Sequence, residues 1–277
     1  MPELPELQAL AERMDALLSG RTLTRLTPLQ FSAAKTFDPP PSAVEGTPLG
    51  AVDRRGKYLI LDFSGTRAVF HLSQGGRVEV EQPAKSTRPK GGVVRLVFDA
   101  DVSILVREFG TQRKAGWWLL APGDDGPLEG LGPEPFDGAF EELVLEGTDG
   151  RRLHTFLRDQ RTVAGVGRGF TDDALHLARL SPFATLDSLG PEARAELLEA
   201  VQEVLREALE RERKRTGGLP PKLGNRFVVH NRAGQPCPRC GDDLRRVSFE
   251  SYEMVYCPAC QTGGRVLADR RMSRLIR

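Results

Sequence analysis

The stretch Cys237-Pro-Arg-Cys240…Cys257-Pro-Ala-Cys260 places two CPxC pairs sixteen residues apart. Two thiolate pairs at this spacing form the two knuckles of a tetrahedral zinc site, so the stretch predicts one structural zinc ion. The four ligands, Cys237, Cys240, Cys257 and Cys260, are all the cysteines of the chain. They leave no coordination position open for activating water. Disulfides and free thiols explain two such pairs less well.

Length and composition describe an ordinary globular protein with room for two modest domains. The chain has 277 residues, of which 39% are hydrophobic and 28% are charged. It has no apolar run near the ~20 residues of a membrane span. It also lacks a basic stretch leading into an apolar segment, which a secretory signal would show. We therefore expect a cytoplasmic protein with no membrane partner, whose reduced cysteines bind metal.

Charge is distributed unevenly although the net charge is only +1. From Arg206 to Arg277 there are 16 Lys and Arg against 8 Asp and Glu, a balance of +8, whereas the rest of the chain carries 23 against 30, a balance of −7. A basic final third is expected of a surface that faces phosphates. A well-solvated basic tail explains the charge equally well.

The N-terminal segment Met1-Pro-Glu-Leu-Pro-Glu6 leads into a predicted helix that Gly20 ends. Apolar residues recur at helical spacing at Leu4, Leu7, Leu10, Met14, Leu17 and Leu18. Pro2 suits the start of such a helix, and Glu3 and Glu6 suit its positive end. Taken alone, a Pro-Glu pair at this position is more often a cap than a catalyst.

A catalytic interpretation of Pro2 is the alternative. If Met1 is removed, Pro2 presents a secondary amine with no preceding peptide bond. Such an amine can attack an aldehyde-like carbon and form an iminium. An α-amino group titrates near ~8, so a useful fraction is neutral and nucleophilic at neutral pH.

The order of predicted elements is that of an α+β protein. Short strands between turns run from Arg21 to about Leu120, so residues 1–120 are predicted to form a β-sandwich or barrel with a leading helix. Residues 121–136, rich in Gly, Pro and acidic residues, are predicted as a linker. Residues 137–225 are predicted to be helical, and residues 226–277 hold the cysteine pairs and a basic tail. The clearest elements are strands at Tyr58–Phe63, Arg67–Leu72, Val93–Phe98 and Val102–Val106, and helices at Phe140–Glu146, Arg151–Arg158, Asp172–Ala178 and Pro191–Arg213.

Three shorter motifs each allow two interpretations. The basic turn 54–58, Arg-Arg-Gly-Lys-Tyr, is able to reach a backbone phosphate, but basic turns before strands are common. Arg107 and Phe109 alternate along a strand and so share a face, where they could probe a base stack; a packed Phe beside a solvated Arg is the default. The glycine-rich turn Val163–Gly169 could cradle a phosphate with its backbone amides, or it could simply let two helices pack closely.

The order of these motifs resembles the formamidopyrimidine-DNA glycosylase/endonuclease VIII family. The resemblance is carried by Met1-Pro-Glu-Leu-Pro-Glu6, Arg55-Gly-Lys57-Tyr-Leu59, Arg107-x-Phe109-Gly110, Asp159-Gln160…Ala164-Gly-Val-Gly167, Gly234-x-Pro-Cys-Pro-Arg-Cys-Gly241 and Tyr256-Cys-Pro-x-Cys-Gln261. It spans nearly the whole chain, and the PELPE start is typical of the formamidopyrimidine branch. It implies an N-terminal β-sandwich, a helix–two-turns–helix element and a zinc finger flanking a DNA cleft.

The resemblance also implies roles, position by position. Pro2 is the expected nucleophile at C1′ of the damaged nucleoside, Glu3 the acid/base at the deoxyribose, and Glu6 a supporting carboxylate. Lys57 is expected to contact phosphate or assist proton transfer near the lesion. Arg107 and Phe109 are expected to fill the gap left by the everted base, and the Gly165–Gly167 turn to hold the DNA backbone.

Three positions depart from the family pattern. Arg168 stands where the family usually has Asn after the Gly-x-Gly turn, and it offers phosphate a different geometry. Tyr252 stands where the finger hairpin carries an arginine, and tyrosine cannot neutralise charge. Gln74 stands where the formamidopyrimidine branch has an intercalating methionine, so it is expected to read an edge rather than wedge a stack. The arginine-rich segment from Arg265 to Arg277 is the expected compensation.

Together these features predict a bifunctional DNA glycosylase with lyase activity at abasic sites, acting as a monomer on damaged duplex or abasic DNA near the nucleoid. The base must leave the stack to be reached. The alternative is a protein that binds damaged or branched DNA without cutting it, as the departures at Arg168 and Tyr252 suggest. A zinc-ribbon protein for RNA or protein partners is a third possibility, but it leaves the PELPE start unexplained.

Overall fold

A computed structural model describes residues 1–109, 113–224, 226–249 and 252–268, and their contacts divide them into two units. The first unit comprises Met1–Gly130 and Ala208–Gly224. The second comprises residues 131–207 and, among those described, 226–268. The predicted domain boundaries at residues 120, 136 and 225 stay predictions.

The described part of the first unit holds two four-stranded antiparallel sheets that share one apolar core. The strands are β1 (Leu23–Pro28), β2 (Ala51–Arg55), β3 (Tyr58–Phe63), β4 (Thr66–His71), β5 (Gly76–Glu81), β6 (Gly92–Phe98), β7 (Val102–Glu108) and β8 (Gly116–Leu120). The sheet orders are β1-β6-β7-β5 and β2-β3-β4-β8. Side chains alternate along a strand, and in β3 this buries Leu59, Leu61 and Phe63. The predicted β-sandwich is confirmed.

Helix α1 (Leu4–Leu18) leads into this sandwich, as predicted. Its apolar face places Leu7, Leu10 and Met14 in the sandwich core. The helix begins at Leu4 with Glu3 as its N-cap, so Pro2 lies outside it and Pro5 occupies the first turn. The expectation that Pro2 belongs to the helix start is therefore wrong.

The second unit is helical and carries a two-stranded hairpin. Its elements are α2 (Gly138–Leu145), α3 (Leu153–Arg158), α4 (Arg168–Leu177), α5 (Pro191–Arg213, whose last residues from Ala208 belong to the first unit), β9 (Arg245–Phe249), β10 (Tyr252–Tyr256) and α6 (Pro258–Thr262). Helix α4 begins four residues before the predicted Asp172, because Gly167 in an extended conformation serves as its N-cap. In the described part of the chain, no helix is long and apolar enough to cross a membrane.

Candidate active site and DNA-contacting residues

Three of the four predicted catalytic residues are charged and nearly fully buried. The side chains of Glu3, Glu6 and Lys57 are 4%, 1% and 5% exposed, and Pro2 is also buried. The backbone N–H of Glu3 donates to Glu6 Oε2 at 2.7 Å, the reciprocal bond of a capping box. Burial of ionisable groups is costly for folding, so such a group of residues is a candidate functional site as well as a helix cap.

Lys57 lies in the tight turn between β2 and β3, and that turn is tied to α1. Gly56, just before it, has a φ of +56°, which favours glycine. Arg54 donates through Nη1 to the carbonyl of Gly56 at 3.0 Å and through Nε to Gln8 Oε1 at 3.1 Å. Because Gln8 lies early in α1, these two bonds fix the turn of Lys57 against the helix that begins at Glu3.

His71, which the sequence interpretation did not single out, lies beside Lys57. Its ring stacks 4.9 Å from that of Tyr58, its partner across the β3–β4 ladder. Burial, together with the positive charge of Lys57, lowers the pKa of His71 to about 4. His71 is therefore neutral at neutral pH, which leaves Lys57 as the cation of this turn.

The structure brings Gln74, Arg107 and Phe109 to one edge of the first unit. The Arg107 guanidinium lies 4.8 Å from the Phe109 ring centre, so the two share a face as expected. The backbone N–H of Phe109 donates to the carbonyl of Gly75 at 2.9 Å, beside the exposed Gln74. A Cβ at Gly75 would lie 2.2 Å from the Phe109 carbonyl oxygen, so this approach requires glycine.

Glu108, between these two residues, was missed because a single Glu in a strand has no distinguishing sequence signal. Its carboxylate is 5% exposed, and its Oε1 accepts the backbone N–H groups of Lys114 and Ala115, both at 2.8 Å. Glu108 thereby anchors the chain beyond the loop that follows Phe109. Gly110 of the predicted motif lies outside the described residues.

The four cysteines of the second unit converge as predicted. Their sulfur atoms all lie within 4.8 Å of one another, with Cys240 and Cys257 at 3.4 Å and Cys237 and Cys260 at 4.0 Å. A tetrahedron of Zn–S bonds of about 2.3 Å has edges of about 3.8 Å, so the cluster fits one structural zinc ion. Burial raises the pKa of the Cys257 thiol, so a cation is what favours the thiolate form here.

His176 of α4 contacts this cluster. Its Nε2 lies 3.2 Å from Cys237 Sγ, and its side chain is 4% exposed. Arg239, between the first two cysteines, donates to the carbonyl of His176 at 2.8 Å. The zinc module is thus attached to the end of α4 by both side chain and backbone, a link that the cysteine spacing did not predict.

The glycine turn before α4 is held by Gln160. The Gln160 amide donates to the carbonyls of Arg158 and Val166 at 3.0 and 2.7 Å and accepts the N–H of Gly165 at 3.0 Å. Arg168 follows as the first residue of α4, half-buried. Since the amide of Gly165 is already satisfied, a phosphate at this turn would depend more on side chains.

Tyr252 and Arg265 lie at different places in the second unit. Tyr252 begins β10, half-buried, and the guanidinium of Arg158 lies 3.4 Å from its ring centre. Arg265 is exposed beyond α6 and lines a cavity with Arg152 and Phe183. The rest of the predicted basic segment, Arg270, Arg271, Arg274 and Arg277, lies outside the described residues.

Comparison with known proteins adds family models that match three consecutive regions. The formamidopyrimidine-DNA glycosylase N-terminal domain matches residues 1–118, the formamidopyrimidine-DNA glycosylase H2TH domain matches 131–217, and a zinc finger found in FPG and IleRS matches 234–263. The fold and the cysteine site therefore define an α+β protein with a sandwich unit and a zinc-bearing helical unit.

Individual relatives place the chain further. A formamidopyrimidine-DNA glycosylase of Symbiobacterium thermophilum is 33% identical over 98% of this chain and 93% of its own length. The chain belongs to the formamidopyrimidine-DNA glycosylase family, so the resemblance inferred from motif order is confirmed. An uncharacterised formamidopyrimidine-DNA glycosylase-like protein of Mycobacterium tuberculosis is 43% identical, over 53% of this chain and 94% of that protein.

The fold is shared with solved structures. The Lactococcus lactis formamidopyrimidine-DNA glycosylase, non-covalently bound to DNA that contains an AP site, superposes with a TM-score of 0.82 at 24% identity. The match covers 94% of this chain and 99% of that one. It shows the common architecture.

Proposed function

We propose that this protein is a bifunctional DNA glycosylase and AP lyase of base excision repair, with Pro2 as nucleophile. The observation that carries the proposal is the position of Pro2. It lies just outside a helix capped by Glu3 and Glu6, and the turn that holds the buried Lys57 is bonded to that helix. Named relatives at about a third identity are formamidopyrimidine-DNA glycosylases, which supports the same assignment.

The proposed chemistry starts at the secondary amine that removal of Met1 exposes. The Pro2 nitrogen attacks C1′ of the damaged nucleoside, and the bond from C1′ to the base breaks as the departing base takes a proton. Loss of the remaining proton from Pro2 and opening of the sugar ring give an iminium between Pro2 and C1′. Glu3, next to Pro2, is within reach of these proton transfers.

Strand cleavage follows from the iminium. The positive nitrogen acidifies the C2′ proton, whose removal expels the 3′ phosphate by β-elimination. A second elimination expels the 5′ phosphate, and water then hydrolyses the imine to regenerate Pro2. Lys57 is proposed to hold a phosphate near the lesion, since its cation is retained beside a neutral His71.

The other proposed contacts hold the DNA. Arg107, Phe109 and Gln74 would occupy the space that the everted base leaves, because they lie together at one edge of the sandwich unit. Arg168 and Tyr252 would contact the backbone from the helical unit, and Arg265 would contribute charge. The zinc ion would keep the finger folded and takes no part in the bond-breaking steps.

Borohydride trapping on abasic duplex DNA tests the nucleophile. Mass spectrometry first establishes that Met1 is absent from the preparation. The wild-type protein should then give a covalent adduct whose modified residue is Pro2, and Pro2→Gly should give none. Pro5→Ala is the matched control, since the Pro5 nitrogen lies within a peptide bond in the first turn of α1 and cannot attack.

Two outcomes would contradict the assignment. Failure of Met1-free wild-type protein to form an adduct would remove the lyase function. An adduct retained in Pro2→Gly would place the nucleophile elsewhere, with Lys57 the first residue to examine.

A non-cleaving DNA-binding protein is the second candidate, favoured by the changes at Arg168 and Tyr252 in the helical unit. It predicts tight gel shifts with lesion or branched DNA and no strand cleavage. The same trapping experiment separates the two candidates, because only the enzyme forms an adduct.

A further inference from the structure

Arg158, the last residue of α3, is stacked on Tyr252, the first residue of β10. The guanidinium carbon lies 3.4 Å from the ring centre, well inside the range of a cation–π contact. Stacking uses the face of the planar guanidinium and leaves its N–H edge for a planar or tetrahedral anion. Tyr252 thus orients a positive charge that it does not itself carry.

Arg158 differs from the arginines around it. Arg151 pairs with Asp149 and Asp159 at 2.6 and 2.9 Å, and Arg161 pairs with Asp159 at 3.2 Å. Within the described ranges, no carboxylate lies within ion-pair distance of Arg158. Its Nε atom is buried and meets no hydrogen-bond acceptor there. Burying a donor unsatisfied is unfavourable for folding, so a ligand that accepts from this edge would satisfy it.

The pair also lies beside the glycine turn. Gln160 bonds both the carbonyl of Arg158 and the carbonyl of Val166, which connects the end of α3 to the start of α4. Arg168 begins α4, and within the same described ranges no carboxylate pairs with it either. Two uncompensated guanidinium groups therefore flank one turn, whereas Arg151 and Arg161 farther along are neutralised.

We propose that Arg158 and Tyr252 together form a binding site for a DNA backbone phosphate. Arg158 supplies the charge from α3, and the ring of Tyr252 holds it in place on the hairpin. The inference rests on the proposed function, since it takes DNA as the ligand, and it assigns phosphate binding to a residue that motif order did not identify. Tyr252 is then a positioning residue rather than the cation's replacement.

Salt-dependent binding measures this site directly. The probe is a fluorescent duplex with a tetrahydrofuran abasic analogue, followed by anisotropy over a range of salt concentrations. Arg158→Leu should weaken binding roughly ten- to hundredfold at low salt, as expected for loss of a charged hydrogen bond. It should also reduce the slope of log K against log salt by about 0.9, the value for one phosphate contact.

Arg161→Leu is the matched control on the same segment. Its side chain is 81% exposed and already paired with Asp159, so its removal should leave affinity and slope nearly unchanged. Tyr252→Leu should weaken binding with a smaller change in slope, because the charge remains but is no longer held. Zinc content and thermal melting of each variant distinguish a lost contact from a lost fold.

Moving the charge provides the rescue. The double variant Arg158→Leu with Tyr252→Arg places a guanidinium on the hairpin itself, and it should recover most of the slope lost in Arg158→Leu. Wild-type protein that binds and traps DNA, with Arg158→Leu equal to Arg161→Leu, would overturn the inference alone. Wild-type protein that neither binds nor traps would instead refute the proposed function.

Discussion

The two units of the molecule differ in how their proposed functional residues are supplied. In the sandwich unit, Pro2, Glu3, Glu6 and Lys57 follow the family motifs position by position, and the helix cap and the bonds of Arg54 hold them. In the helical unit, two positions expected to contact DNA carry different side chains, Arg168 and Tyr252. There a positive charge stands on α3, at Arg158, rather than on the hairpin.

This difference suggests that chemistry and DNA grip are separable in this fold. The reacting groups must keep an atom-level geometry, which tolerates little change. Phosphate is bound by charge and can accept a guanidinium from several backbone positions, provided that the cation reaches the same place. Changes that concentrate in the helical unit would therefore alter substrate choice while leaving the reaction type unchanged.

Loss of zinc should separate the units most strongly. Cys240→Ser removes one of four ligands, and structural zinc contributes about 10–16 kcal/mol of folding free energy to a small module. We expect metal content to fall from one ion per chain to none and DNA affinity to fall at least about tenfold. Metal analysis and anisotropy measure the two effects.

The sandwich unit should be unaffected by that change. Both tryptophans of the chain, Trp117 and Trp118, lie in β8, so intrinsic fluorescence reports unfolding of that unit. An unchanged fluorescence transition in Cys240→Ser would support separable units. Full DNA binding by the metal-free variant would contradict the role given to the finger.

Glu3→Gln tests the chemistry of the sandwich unit. General acid–base catalysis contributes roughly 10²–10⁴-fold, so base release from the best substrate in a panel of damaged duplexes should fall by that factor. Adduct formation with a preformed abasic site should be retained, because no base has to leave. Single-turnover release and borohydride trapping measure the two steps separately.

The control for this change lies on the same helix. Glu12 of α1 is partly exposed and pairs with Arg213 at 2.7 Å, so Glu12→Gln makes the same chemical change away from Pro2. It should leave base release unchanged. Equal loss of base release and trapping in Glu3→Gln would indicate that Glu3 is needed for the fold rather than for proton transfer.

Local patterns in the sequence predicted the elements and the metal site. Alternation and bounding turns gave β3 at Tyr58–Phe63, and the CPxC spacing gave the four sulfur ligands, because both signals lie within a few residues of each other. The start of α4 was placed late because a glycine N-cap carries no side-chain signal.

Contacts between distant segments could not be read in the same way. Arg158 is an ordinary basic residue at a helix end, and only the folded hairpin brings Tyr252 over it. His176 is one polar residue of an amphipathic helix until α4 packs against Cys237. Their significance depends on tertiary packing, which periodicity and spacing do not encode.

His176→Ala should have a smaller effect within the helical unit. The contact of His176 Nε2 with Cys237 Sγ is an outer interaction of the zinc site, and loss of such interactions typically weakens metal affinity about 10–100-fold. Chelator competition measures this affinity. His154→Ala is the control, since His154 is equally buried in that unit but lies against Asp172 rather than a cysteine. Equal zinc affinity in both variants would rule out the outer-shell role.

The smallest effect should appear as a pH dependence confined to the sandwich unit. The pKa of His71 falls from 6.5 to about 4 on folding, because the ring is buried beside Lys57. Between these values the unfolded chain binds more protons than the folded chain, so stability is lost as the pH falls through this window. The loss attributable to His71 should be on the order of 1–2 kcal/mol, allowing for its partial exposure.

Urea unfolding followed by tryptophan fluorescence at several pH values isolates this contribution, because the other three histidines belong to the helical unit. His71→Gln cannot be protonated, so its free energy of unfolding should fall less than that of the wild type on acidification from neutral pH to about pH 4. Lys57→Gln should shift the loss to lower pH-sensitivity as well, since the repelling charge is removed. Parallel pH profiles for the wild type and His71→Gln would show that His71 is not held neutral, and that Lys57 is not the only cation of its turn.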